Sequence, residues 1–195
     1  MMTKKIITAI FILLATCQVF AATLEVDVKG TGPLPYNYRI IDGHIHAGGH
    51  PLNPATHFSN TDEQAMSILN YLKSKGVYTV IDLENTRSIQ ERYQALLDKA
   101  GIKRMHIPLN SLKVPDKKEW GRIKEAMKRP VYIHCTWGAD RTGMVIARYL
   151  VEEKGYTPDQ AYNAVINGGM CAGALGGFKK NLANLLLKKF IFSGP

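Results

Sequence analysis

Two short apolar runs, at residues 77–83 and 131–134, with a further strand expected at 103–109 between them, alternate with stretches whose apolar positions recur every three or four residues. That alternation restricts the fold more than any other feature of the chain, because runs of this kind are strands buried on both faces, with helices between them. Ala65, Ile68, Leu69 and Leu72 line one face of a helix that Thr61 and Asp62 cap and Gly76 ends. Tyr93, Leu96 and Leu97 mark a second helix over 89–100, stopped at Gly101, and Trp120, Ile123 and Met127 a third over 116–127. Further helices are expected at 141–153, 158–166 and 178–190. Ahead of them, residues 38–41 and 44–46 flank Asp42-Gly43 as two strands of a hairpin. The expected fold is α/β, a central, mostly parallel sheet of about four to five strands flanked by helices. At 195 residues the chain is too short for a complete eight-stranded α/β barrel.

Residues 1–21 have a different character. Lys4 and Lys5 precede an unbroken apolar run from Ile6, and Val19 and Ala21 fit the small-residue positions before a cleavage site. This is the layout of a secretory signal peptide, so the protein is expected to be exported to the periplasm or beyond. Cys17 follows Leu14-Ala15-Thr16, a near match to a lipoprotein box, and anchoring there is the minor alternative. Residues 22–35, rich in Gly and Pro, read as an extended lead-in, and 36–195 as a single domain including a C-terminal helix. Cleavage after Ala21 leaves Cys135 and Cys171, too few for a disulfide-stapled scaffold. The whole chain carries a formal charge of +9, which favours an anionic partner without saying which.

Residues 134–143 read His-Cys-Thr-Trp-Gly-Ala-Asp-Arg-Thr-Gly, between a buried strand and an amphipathic helix. The carboxyl edge of an α/β sheet is where such folds place ligands. Five residues separate Cys135 from Arg141, enough for Thr136, Trp137, Gly138, Ala139 and Asp140 to curl so that backbone N–H groups converge at the positive end of the next helix. Such a point binds phosphate, and the same field favours the thiolate of Cys135 as a nucleophile. Arg141 offers two aligned donors to two phosphoryl oxygens, which Lys does not match. Thr142 places a hydroxyl where it could bond the sulfur, and Gly138 and Gly143 permit close backbone approach. Reading Cys135 as mere core and Arg141 as a helix-start cation fails on the second point, since Arg at a helix N-terminus opposes the dipole.

This segment resembles the protein tyrosine and dual-specificity phosphatase superfamily, marked by His-Cys, five residues, Arg, then Ser or Thr. The likeness extends from about Tyr38 to Val165 and includes the Tyr38-Arg39 hairpin with Pro51, Val80-Ile81-Asp82-Leu83, and His106-Ile107-Pro108-Leu109. Compact bacterial and atypical dual-specificity members look most similar. The resemblance implies a metal- and cofactor-free phosphate monoester hydrolase working through a cysteinyl-phosphate. Cys135 would be the nucleophile, Arg141 and residues 136–140 the phosphate cradle, and phosphotyrosine or phosphoserine/threonine of proteins the substrate. A phosphoinositide or inositol phosphate is the alternative; Trp137 in the loop and the lack of Lys there lean toward phosphoprotein. A phosphate-binding module without catalysis is the remaining reading, against which the intact Cys, Arg and Thr argue.

The general acid is expected from Asp116, the only carboxylate of the 110–116 loop, although Asp116 and Glu119 also read as a helix cap. Asp140 is the rival, because myotubularin-like lipid phosphatases share an Asp at that loop position. Asp42-Gly43-His44-Ile45-His46 looks like an amidohydrolase metal motif, with His44 and His46 on one strand face and His50 and His57 as further donors, but those enzymes need the full barrel. Lys179, Lys180, Lys188 and Lys189 alternate with Leu182, Leu185, Leu186, Leu187 and Phe190. Packing of that apolar stripe on the domain is favoured over a membrane-surface helix. Nucleic-acid binding has no motif behind it. Cys171 is most simply a packed thiol, with a disulfide to Cys135 as the alternative. Oligomeric state is not readable.

Overall fold

The computed structural model describes residues 29–54, 57–110, 112–167 and 182–195. Residues 1–21 with Cys17, most of the lead-in, Cys171, Lys179 and Lys180 lie outside them. Five strands form one sheet: β1 (Arg39–Ile41), β2 (Ile45–Gly49), β3 (Thr79–Asp82), β4 (Lys103–His106) and β5 (Val131–Cys135). Their order is β1-β2-β5-β3-β4, and only the β1–β2 hairpin is antiparallel. Asp42 and Gly43 both adopt positive φ in its turn, which places His44 in the connection rather than on the strand. β2 runs on to Gly49, three residues past the expected end, paired with β5 through Gly48↔His134 and Gly49↔Cys135.

Six helices are described: α1 (Asp62–Ser74), α2 (Gln90–Ala100), α3 (Lys117–Met127), α4 (Asp140–Lys154), α5 (Pro158–Asn167) and α6 (Leu182–Ser193). Thr61 caps α1 in a capping box with Gln64, and Gly101, at φ 68°, closes α2 as only glycine does freely. Strand pleating divides the core. Val80 and Tyr132 join α1 and α2 on one face, while Ile81, Val131 and Ile133 join α3 to α6 on the other. In α6, Leu187, Phe190 and Ile191 are buried, whereas Leu185 is exposed like Lys188 and Lys189, so only part of the expected stripe packs inward; Phe190 meets the Trp120 ring edge-on at 5.5 Å. No helix among the described residues is long and apolar enough to cross a membrane.

β5 lies in the middle of the sheet, between β2 and β3, and every residue of it is buried. The chain leaves β4, doubles back through α3 to the sheet centre and delivers β5 there. Its carboxyl end therefore emerges in the crevice where the strand order reverses.

Candidate active site

Cys135 is the last residue of β5 and is 3% exposed; among the described residues it is a free thiol. Five residues on, α4 begins at Asp140, so its first N–H groups, at the end next to the intervening loop, lack intrahelical acceptors. The loop's carbonyls are held outward. Thr136 O accepts from His50 N at 3.1 Å and from Asn53 Nδ2 at 2.7 Å, and Trp137 O from Asn37 Nδ2 at 3.3 Å. Asn53 is fixed in turn by Phe58 N, which donates to its Oδ1 at 2.7 Å. Gly138 is at φ 69°, and a Cβ there would sit 2.2 Å from Gly48 C, so the loop rests directly on the glycine pair that ends β2.

Arg141 reaches back under the loop. Its Nη1 donates to Leu83 O at 3.0 Å and Leu109 O at 3.1 Å, and its Nη2 to Thr136 Oγ1 at 2.6 Å and Glu84 Oε2 at 3.3 Å. Thr136 Oγ1 itself donates to Glu84 Oε2. The other oxygen of Glu84 accepts from Asn85 N, Thr86 N and Thr86 Oγ1 at 2.8–2.9 Å. Burial works against the charge of Glu84, but Arg141, Thr136 and Thr86 outweigh it and hold the carboxyl below its ordinary range. Burial likewise opposes the charge of Arg141, and the Cys135 sulfur and Glu84 more than offset it, raising the guanidinium's pKa.

The sequence-predicted residues fall into three groups. Cys135, Thr136, Trp137, Gly138, Ala139, Asp140 and Arg141 form one turn of chain around the start of α4. Thr142 is fully buried in the first turn of α4, and its Oγ1 has no hydrogen-bond partner, so the expected contact to the sulfur is not formed. The threonine that meets the arginine is Thr136, because α4 starts early enough to carry Thr142 into the core. Asp116 is the N-cap of α3, its carboxylate accepting from Glu119 N at 2.7 Å while Glu119 Oε2 accepts from Asp116 N at 3.0 Å. Glu84 was not predicted. It stands two residues past the end of β3, at the sheet's carboxyl edge.

The histidines do not form the suggested metal motif. Both ring nitrogens of His44 meet backbone carbonyls, of Asp42 and Met127, each at 2.8 Å, while His46 bonds the Tyr38 hydroxyl at 2.6 Å. A different set, His50, Asp82 and His134, brings three potential ligand atoms within 4.8 Å, all buried. Its donor chemistry does not fit a cation. Leu52 N donates to His50 Nδ1 at 3.1 Å, so the neutral ring carries its proton on Nε2. Asp82 already accepts from Glu84 N and from Arg104, whose Nη2 is 2.5 Å from Oδ2. His134 Nε2 meets the Tyr93 hydroxyl at 2.9 Å. Within the cluster His50 Nε2 and His134 Nδ1 are buried without a hydrogen-bond partner, and His50 N ties the cluster to the loop through Thr136 O.

Residues 58–155, just over half of the chain and including the whole Cys135–Thr142 segment, match the family model described as Tc-R-P, polymorphic toxin system, DSP-PTPase phosphatase. The chain belongs to this DSP-PTPase phosphatase family. The phosphatase is therefore a phosphoric monoester hydrolase of the tyrosine and dual-specificity type. Solved structures share its fold. TpbA of P. aeruginosa superposes with a TM-score of 0.58 at 18% identity, covering 79% of this phosphatase and 84% of that chain. PTPMT1 gives 0.57 at 20%, covering 79% and 93%. The core catalytic domain of the PP-IP phosphatase SIW14 from S. cerevisiae gives 0.56 at 17%, covering 81% and 85%. No curated protein sequence matches the phosphatase.

Proposed function

We propose that this phosphatase hydrolyses phosphotyrosine of proteins through a cysteinyl-phosphate, and that it acts after export. The observation that carries the reading is the seating of Arg141: protein acceptors fix both Nη groups while the guanidinium lies close enough to Cys135 for their charges to interact, and a bound phosphoryl group would take one Nη2 hydrogen over from Thr136 or Glu84 and the Nε hydrogen beside it. In the first step the Cys135 sulfur attacks phosphorus and the bond to the tyrosyl oxygen breaks. That oxygen takes a proton from Asp140, the residue that opens α4. In the second step water attacks phosphorus, Asp140 recovers the proton, and the P–S bond breaks to release phosphate and thiolate.

Asp140 is preferred to Asp116 because Asp116 Oδ1 is committed to the α3 cap. Glu84 is excluded as acid because its environment keeps it ionised. Support for an aryl substrate comes from the rings beside the loop: Tyr36 and His57 each stand edge-on to Trp137, with centroids 6.1 Å away. Among the structural neighbours, TpbA is described in complex with pTyr and PTPMT1 in complex with PI(5)P, so neighbours of this fold are described with both substrate classes. Turnover of a phosphotyrosyl peptide by the purified chain, lost in Cys135→Ser while vanadate binding persists, tests the mechanism. Activity retained in Cys135→Ser would end it. Export rests on residues 1–21, and a mature N-terminus at Ala22 in a periplasmic or culture fraction tests it.

A further inference from the structure

Beside the anion loop, on the β3–β4 side, lies a cavity of about 440 Å³ whose walls include Asn85, Arg87, Gln90, His106, Asn110 and Lys113. It adjoins the arginine directly. Asn85 Oδ1 is 3.5 Å from Arg141 Nη1, and Asn110 and Pro108 flank Leu109, whose carbonyl accepts from the same nitrogen. Two cations line the cavity and no carboxylate does. Lys113 is partly neutralised, its Nζ 2.7 Å from Glu119 Oε1. Arg87 is exposed and its side chain, among the described residues, makes no ion pair or hydrogen bond; it is the uncompensated charge of the wall.

The polar remainder of the wall is already fixed. Gln90 Nε2 donates to Thr86 O at 2.8 Å, His106 Nε2 meets Glu84 O at 2.8 Å, and Asn110 Oδ1 accepts from Leu112 N at 2.8 Å. A ligand would meet a formed surface and order little more than the Arg87 side chain. The aromatic group of Trp137, Tyr36 and His57 lies across the loop from this cavity, because Gly138 packs on β2 whereas Asn85 and His106 follow β3 and end β4. An aryl phosphate held at Cys135 would thus have rings on one flank and an unpaired arginine on the other.

We propose that this cavity is a specificity subsite for an acidic side chain next to the phosphotyrosine of an extended peptide, with Arg87 as the recognising cation. This rests on the phosphotyrosine reading above and adds the substrate's flanking chemistry to it. The test compares two synthetic phosphotyrosyl peptides, identical except that the residues flanking the phosphotyrosine are Asp and Glu in one and Asn and Gln in the other. The full chain should show kcat/KM higher for the acidic peptide by about 10-fold, the scale of one charge-assisted hydrogen bond. In Arg87→Gln the ratio should collapse to about one. Equal rates for the two peptides in the unsubstituted protein, or a preference that survives Arg87→Gln, would overturn the proposal. So would an Arg87-dependent preference for a soluble inositol polyphosphate over both peptides. If the unsubstituted protein fails to turn over para-nitrophenyl phosphate, the phosphatase reading has failed instead. The same two peptides are then compared by fluorescence anisotropy, where tighter, Arg87-dependent binding of the acidic one upholds the subsite and equal binding removes it.

Discussion

Glu84 and Arg141 come from elements 57 positions apart, yet a single carboxylate oxygen of Glu84 serves both the Arg141 guanidinium, 3.3 Å away, and the Thr136 hydroxyl that the guanidinium also touches. The bond fixes the arginine's plane before any phosphate arrives. Glu84→Gln keeps the shape and removes the charge, so kcat/KM for an aryl phosphate should fall by about 10- to 100-fold. Glu84→Ala leaves Arg141 without that partner and should also lower unfolding free energy by about 1–3 kcal/mol. Urea denaturation beside steady-state kinetics separates the two effects. Unchanged kinetics in both variants would show that the remaining acceptors suffice.

Gly138→Ala should damage both folding and turnover. Its φ of 69° is a left-handed conformation, and the added Cβ would fall 2.2 Å from a backbone carbon of Gly48. The expected loss is about 2–4 kcal/mol in denaturant unfolding, with vanadate affinity falling too. Gly121→Ala is the control, since nothing lies within 4 Å of its added Cβ.

Asp140→Asn should slow an alkyl or phenyl phosphate by about 10² to 10³, spare nitrophenyl phosphate, and remove the alkaline limb of the pH–rate profile. Asp116→Asn should change little, because Asn caps a helix as well as Asp does. The reverse pattern would return the acid role to the α3 cap.

Acid should unfold the protein in two stages. His46 is held at about 4, first by burial and then by Lys75 and His44, and burial also lowers His50 and His134. The unfolded chain takes up these protons near pH 6.5 and the folded chain does not, so this stability is complete above 6.5 and declines as pH falls toward 4. Burial raises Asp82, but His134, His50 and Arg104 overcome it, and Glu84 is also lowered. The carboxylates' contribution is therefore intact above about 4 and lost only below it. Urea unfolding at pH 7, 5.5 and 4.5 should show a fall of about 2–4 kcal/mol, made shallower by His46→Gln. A flat profile over that range would mean the rings protonate in place.

The strand, the loop and the helix after it were legible in the sequence because each level of pattern agreed: an apolar run, a Cys and Arg spaced for one turn of chain, and an amphipathic repeat. The α1 cap was readable from Thr61 standing just ahead of the apolar repeat, though its partner in the capping box is Gln64, which the sequence reading did not single out. Glu84 escaped because its role depends on Arg141, which no local pattern joins to it. Asp116 read equally as acid or cap, since both need a carboxylate at the same place. Thr142 was misplaced by less than a turn, because the start of α4 decides which side of the helix it joins. The end of β2 was missed because Gly48 and Gly49 carry no strand propensity. They extend the strand because Gly138 and Tyr132 leave no room for a side chain: a Cβ on Gly48 would stand 2.8 Å from the Tyr132 hydroxyl.

The carbonyls of Thr136 and Trp137 are tied to His50, Asn53 and Asn37 with no ligand involved. An anion arriving at the loop meets carbonyls whose bonds are already made among the described residues. Its capture should be a single-step event, with an observed rate rising linearly in oxyanion concentration and showing no plateau in stopped-flow mixing, and with discrimination among substrates expressed in how fast each one leaves.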